Sequence, residues 1–220
     1  MQRVPEPELM NDPEQAAAYA QADFSEPHDQ FVALFVDKFG ARLDGDVLDL
    51  GCGPGDVCRR FATAVASCRV HGIDAAAEML SLARAETGRQ GLSRRVQYRH
   101  CHLPDPDLPR RCYDAVISNS LLHHLADPAT LWHSARHAAK PGAALLVVDL
   151  MRPDNARAAQ QLVEQYAAGE PAVLQRDFGN SLLAAYRPDE VREQLRASQL
   201  EHLQIEIISD RHLAVFGRLL

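Results

Sequence analysis

No CxxC pair occurs in this sequence, and its five cysteines (Cys52, Cys58, Cys68, Cys101, Cys112) are odd in number with no repeated spacing. That argues against a disulfide framework and a thiolate zinc site, and favours reduced thiols. No apolar run is long enough to span a bilayer, and the polar start MQRVPEPELMNDPEQ lacks the apolar core of a signal peptide. The chain is expected to be cytoplasmic and off the membrane. Basic charge is short as well. Lys+Arg is 23 against Asp+Glu 30, a net charge of -7, which excludes a broad phosphate-neutralising face. No solenoid-length repeat and no low-complexity tract is present. What remains is an ordinary globular composition, 46% hydrophobic over 220 residues, enough for one domain with a sizeable core.

The first forty residues are polar and Pro-punctuated, with helices expected over Ala16–Ala22 and His28–Phe39. From Asp46 the rhythm changes. Short apolar runs at Val47–Leu50, Arg69–Ile73, Val96–Tyr98, Ala115–Ser118 and Ala143–Leu150 predict strands. Between them Asp56–Ala66, Ala76–Glu86 and Ala129–Ala139 predict helices, the alternation of a parallel sheet covered on both faces. A helix over Asn155–Ala168 precedes a Pro/Gly-marked segment, Gly169–Asn180. The helix Pro188–Ser198 then leads to two strands, Leu203–Ile208 and His212–Arg218, at hairpin spacing. The fold class is α/β, a doubly wound, mostly parallel seven-stranded sheet with a C-terminal antiparallel hairpin and an N-terminal helical cap.

Chemistry concentrates at Val47-Leu-Asp-Leu-Gly51-Cys-Gly53-Pro-Gly55-Asp56, where a strand runs into three alternate glycines and then a helix. Glycines let the backbone turn tightly and a ligand approach closely. A Walker loop needs Lys-Ser/Thr after the last glycine, and Asp56-Val57 stand there instead. A dinucleotide loop needs G-x-G-x-x-G, and the spacing here is G-x-G-x-G with an acid at the helix start. Asp49 suits a cationic ligand, an ammonium or a sulfonium. Asp74, ending the strand Val70–Ile73, either accepts hydrogen bonds from ribose hydroxyls or caps the helix that follows.

These segments resemble motifs of class I S-adenosylmethionine-dependent methyltransferases. Val47–Asp56 is similar to the first, Gly72-Ile-Asp74-Ala-Ala-Ala-Glu-Met79-Leu80 to the second, and Tyr113–Leu125, ending in His123-His124-Leu125, to the fourth-strand motif. Lys140-Pro141-Gly142 resembles the turn before the fifth strand, and the terminal hairpin fits a reversed last strand. The resemblance covers about Asp46 to Leu150 and implies a Rossmann-like fold that binds S-adenosylmethionine and releases S-adenosylhomocysteine. It implies that Asp49, Gly51 and Gly53 hold the methionine end. Asp74 would take the ribose, Met79 would pack near the adenosine, and Asn119 would line the cofactor through its backbone. His102, with Leu103 beside it, stands where the family offers an acid to adenine.

His123 and His124 fall where cofactor and acceptor meet, as a base, as an orienting group or as packing. Tyr19 and Phe24 fall on the N-terminal cap, where an aromatic would shield the sulfonium or simply pack. Phe24, His28, Arg152, Asn180 and Tyr186 are candidates for the acceptor pocket, with Arg176, Ser181 and Arg187 as further polar groups of the segment after the fifth strand. Arg152 and Arg187 equally suit ion pairs with nearby acids. No metal is expected: His133 and His137 lack the acid of an H-E-x-x-H pattern, and His100-Cys101-His102 sit alternately on a strand.

One domain over 1–220 is expected, with a cap over 1–40, a cofactor-binding core over 41–150, an acceptor-side insertion over 151–187, and a terminal helix and hairpin over 188–220. The expected activity is methyl transfer to a small-molecule acceptor at O, N, S or activated carbon, by a monomer or homodimer. An RNA or protein methyltransferase, a cofactor-binding sensor or scaffold without turnover, and a dinucleotide oxidoreductase are the rivals.

Overall fold

The computed structural model describes residues 1–6, 19–20 and 22–220. The apolar runs form β1 (Asp46–Leu50), β2 (Arg69–Asp74), β3 (Val96–His100), β4 (Tyr113–Asn119), β5 (Ala139–Leu150), β6 (Gln204–Ile207) and β7 (His212–Arg218). They build one sheet in the order β3-β2-β1-β4-β5-β7-β6. The first five strands are parallel, and β7 lies antiparallel between β5 and β6. The chain winds outward from β1 to β3, then returns to β4 on the other side. This reversal opens a crevice beyond the carboxyl ends of β1 and β4, where such sheets receive ligands.

Side-chain alternation builds a core on each face. Leu48, Leu50, Val116, Leu145 and Val147 pack with Trp132 of α4 (Ala129–Ala138) and with Val191 and Leu195 of α7 (Pro188–Ala197). Val47, Val70, Ile117 and Leu146 pack with Phe31 and Phe35 of α1 (Ser25–Phe39) and Phe61 of α2 (Asp56–Ala64). Sheets buried on both faces need the near-continuous apolar runs seen in β4 and β5. The helix α3 (Ala77–Arg89) follows β2.

Two sequence expectations need comment. The helix expected over Ala16–Ala22 falls largely outside the described residues, of which Tyr19 and Ala20 are helical. The Pro/Gly-marked segment Gly169–Asn180 is mostly helix: α5 (Ala156–Tyr166) is followed by α6 (Ala172–Ala184). Pro171 stands just ahead of α6 as its cap residue, a position that proline tolerates. Gly179 lies inside α6 facing α5, where an added Cβ would meet Val163 at 3.6 Å. That is an ordinary contact distance, so the glycine neither breaks the helix nor is required by the packing.

The glycine loop is locked by its backbone. Gly51, Gly53 and Gly55 all take positive φ, and a Cβ on Gly55 would lie 2.2 Å from Tyr98 Oη. That hydroxyl is pinned by Thr87 Oγ1 at 2.9 Å. Gly55→Ala should therefore lower stability by about 2–4 kcal/mol, left-handed strain added to the clash. A urea midpoint within error of wild type would show that Tyr98 yields freely.

Candidate functional site

A cavity of about 520 Å³ lies over the carboxyl ends of the parallel strands. Its wall includes the loop residues Gly51 and Gly53, Asp49 near the end of β1, Asp74 at the end of β2 and Asn119 at the end of β4. Asp49 is 1% exposed. The Cys58 thiol, on the first turn of α2, donates to its Oδ2 at 3.0 Å. Burial pushes the Asp49 carboxyl up to about 7, against the pull of that hydrogen bond. Among the described residues no cationic side chain pairs with this carboxylate, and a cationic ligand would supply a partner.

Of the two readings of Asp74, the structure shows its carboxylate bonded to backbone at the entry to the helix that follows. Its Oδ1 accepts from Ala76 N at 2.8 Å, at the entry to α3, and its Oδ2 accepts from Gly53 N at 2.8 Å. Burial raises its pKa, partly offset by these N–H groups. The carboxylate thereby ties the second strand to the glycine loop, and each oxygen keeps acceptor capacity for a ligand hydroxyl.

The acid at the helix start, Asp56, is not left bare. His28 Nδ1 lies 2.7 Å from its Oδ2, and Arg60 Nε donates to the same oxygen at 2.7 Å. Burial opposes ionisation there, but these partners outweigh it and hold the carboxyl at about 2. His28, read from sequence as an acceptor contact, lines the cavity yet spends its ring on docking α1 against the loop. Further along the wall, the Tyr19 and Phe24 rings stand 4.8 Å apart, and Tyr19 packs on Ala76 and Met79. Burial pushes the Tyr19 hydroxyl up to about 12. Met79, His102 and Leu103 also line this end.

At the other end, His123 and His124 form a 3-10 turn, Leu122–His124, with their rings 4.1 Å apart. His123 Nδ1 lies 2.5 Å from Asp149 Oδ1, and Asp149 also accepts from the backbone N–H groups of Leu122 and Leu150. Burial works against a charged His123, but Asp149 outweighs it and raises the pKa. His124 goes the other way: burial, aided by the neighbouring His123, pushes it down to about 3.

Three of the five acceptor-pocket candidates stand away from the wall, as do Arg176 and Arg187. Arg152 is buried, donating to Ala185 O at 3.0 Å and to Glu190 Oε1 at 2.5 Å. Its charge is consumed inside the fold, the ion-pair alternative realised with a different acid. Tyr186 is covered by the Arg3 guanidinium 4.1 Å above its ring, and Asn180 is exposed on α6. Ser181 lines the cavity instead. Sequence reasoning missed Asp149 and Glu6. Asp149 had a signal: Val147-Val-Asp149-Leu150 repeats the buried strand-end acid of Val47-Leu-Asp49-Leu50. Glu6 had none, because nothing local marks a terminal acid that folds back.

Residues 47–143 match a family described as a methyltransferase domain. An uncharacterized methyltransferase of Mycobacterium tuberculosis is 28% identical over 69% of this chain and 74% of its own length. A ubiquinone biosynthesis O-methyltransferase of Hahella chejuensis is 33% identical over 54% of this chain, which spans about half of that relative (48%). Among solved structures, a SAM-dependent methyltransferase from Aquifex aeolicus matches with TM-score 0.69 at 19% identity, covering 95% of this chain and 99% of that one. Phosphoethanolamine N-methyltransferase 2 of Haemonchus contortus, in complex with S-adenosyl-L-methionine, matches with TM-score 0.67 at 17% identity, over 90% of this chain and 44% of that one. The structural likenesses carry the seven-stranded fold, and over residues 47–143 the sequence is similar to a methyltransferase domain.

Proposed function

We propose that this chain is a class I S-adenosylmethionine-dependent methyltransferase that acts on a small-molecule acceptor, at O, N, S or an activated carbon. The observation that carries the reading is the single cavity of about 520 Å³ joining the glycine loop to the histidine pair. That is the scale of pockets that enclose small ligands. The relative from Hahella is named an O-methyltransferase, which puts hydroxyl acceptors first in a screen.

The residues fit the cofactor. S-adenosylmethionine supplies an electrophilic methyl group on a cationic sulfur. Asp49, buried and short of a cation, would attract its positively charged end, with Gly51 and Gly53 offering backbone free of Cβ atoms. Asp74 would receive the ribose hydroxyls on its spare lone pairs. Met79, His102, Leu103 and the Asn119 backbone would flank the nucleoside, while Tyr19 and Phe24 would close the side and exclude water. Methyl transfer needs chiefly alignment of nucleophile, methyl and sulfur. His123 and His124 would orient the acceptor and, where its atom is protonated, take up the proton.

Calorimetric titration with S-adenosylhomocysteine, with a nicotinamide dinucleotide as control, tests the site. The expected outcome is micromolar binding of the homocysteine compound alone. Folded protein that ignores it would sink the assignment of the glycine loop. Formation of S-adenosylhomocysteine with a small acceptor then separates turnover from mere cofactor binding, and turnover only with RNA or protein would refute the acceptor class.

A further inference from the structure

Among the described residues, Glu6, His123 and His124 bring ligand-type atoms within 4.8 Å of one another. The start of the chain is fastened to place Glu6 there. Arg3 donates to the carbonyls of Ala184, His123 and Leu125, and Val4 N donates to Leu183 O at 3.0 Å. These bonds commit the Arg3 guanidinium to backbone oxygens and set the Glu6 carboxylate against Ser181, His123 and His124, three residues of the cavity wall. There Ser181 Oγ donates to Glu6 Oε1 at 2.9 Å. The same oxygen lies 3.2 Å from His124 Nδ1 and 3.6 Å from His123 Nε2.

Those separations are informative. Two ligand atoms each about 2.1 Å from a shared tetrahedral centre stand about 3.4 Å apart. Among the described residues the buried His124 Nδ1 has no hydrogen-bond partner, Glu6 being misaligned for one. His123 has its other nitrogen held by Asp149, the carboxylate–histidine arrangement that orients a metal-binding ring. A buried lone pair left without a donor is costly unless something electrophilic uses it.

We propose that Glu6 Oε1, His123 Nε2 and His124 Nδ1 bind one divalent transition-metal ion at the acceptor end of the cavity. Two imidazoles and a carboxylate suit Zn²⁺ and its borderline neighbours, and three protein ligands leave a position open for a water or an acceptor oxygen. This revises the expectation of no metal, which weighed only residues close together in sequence. The use of the ion rests on the proposed methyl transfer: the lone pairs that would orient the acceptor directly do so through the ion. The binding itself does not depend on that reading.

The test is titration of chelator-stripped, tag-free protein with Co²⁺, followed by its visible d–d bands, then competition with Zn²⁺. One Co²⁺ per chain, displaced by Zn²⁺ and bound at least tenfold more weakly by Glu6→Gln and His124→Ala, is expected. His133→Ala, at an exposed position on α4, should bind as wild type does. Histidine side-chain NMR of the wild-type protein gives the same answer should a variant fail to fold: Zn²⁺ must shift His123 and His124. Absence of saturable Co²⁺ and Zn²⁺ binding, equal binding by both variants, or shifts confined to exposed histidines overturns the site. S-adenosylhomocysteine affinity measured on the same stripped sample reports the methyltransferase reading separately.

Discussion

Asp149→Asn should lower turnover by about 10²–10⁴-fold while S-adenosylhomocysteine affinity stays within a few-fold of wild type. Asp149 is 1% exposed and accepts from Leu122 N at 2.7 Å, Leu150 N at 2.8 Å and His123 Nδ1 at 2.5 Å. An amide of the same shape retains one acceptor oxygen and turns an N–H donor toward one of these partners. The amide oxygen keeps the Oδ1 position shared by Leu150 N and His123 Nδ1, but the histidine loses the negative charge that raises its pKa, so it takes up an acceptor proton less readily. A buried donor left unpaired costs about 1–3 kcal/mol, within reach of a stable fold. S-adenosylhomocysteine formation with the acceptor found by screening measures the effect, with thermal unfolding as the control. Turnover within threefold of wild type would show that the Asp149–His123 pair only braces the 3-10 turn.

Asp49→Asn should cost S-adenosylmethionine about 100-fold in affinity at pH 8, roughly 3 kcal/mol for the charged contact proposed here, and much less at pH 5.5. The difference comes from a carboxyl pushed up to about 7 by burial. Below that pH the wild-type residue is itself largely neutral, so the amide replaces like with like. In wild type the affinity should rise with pH through 7, and binding near neutrality should release a proton. The sign for the unliganded fold is opposite. The group holds its proton in the folded state up to about pH 7 but loses it near 4 when unfolded. Stability contributed by the neutral form is therefore fully present below 4 and declines as pH rises to 7. Calorimetry in two buffers of different ionisation heat measures the proton release. A flat affinity profile in wild type would show that Asp49 does not answer the cofactor's charge.

Strand positions read from sequence held where an apolar run marked them. The strand that ends Val47-Leu-Asp49-Leu, the alternate glycines, and the strand Val70–Ile73 ending in Asp74 all convert directly into position, because each acid terminates an apolar run that must be buried. The hairpin of β6 and β7 was legible for the same reason. Arg152 shows the limit. A cation just beyond β5 resembles a ligand contact, but the chain returns in α7 to place Glu190 against it. Such a partner, set by tertiary packing, leaves no trace in the neighbouring residues. The Pro/Gly-marked segment Gly169–Asn180 misled in the other direction, since Pro171 stands where a helix begins rather than where one is broken. Glu6 is the extreme case: its neighbours in space, Ser181 and the histidine pair, come from the far end of β4 and from α6.

The place of β7 has a consequence for how this molecule is made on the ribosome. When Leu150 has emerged, every strand that carries the glycine loop and its acids is available, yet one flank of β5 still waits for a partner. Seven positions of β5, Ala144 to Leu150, pair with β7, which is synthesised after α5, α6, α7 and β6. Through that interval the nascent chain presents an apolar β5 edge of the kind that recruits other strands. β6, meanwhile, pairs within the sheet only with β7 and cannot close the edge ahead of it. β7, translated after the other strands of this sheet, is thus the one that covers this edge, and a product stalled before it would keep the glycine loop while presenting an apolar strand edge.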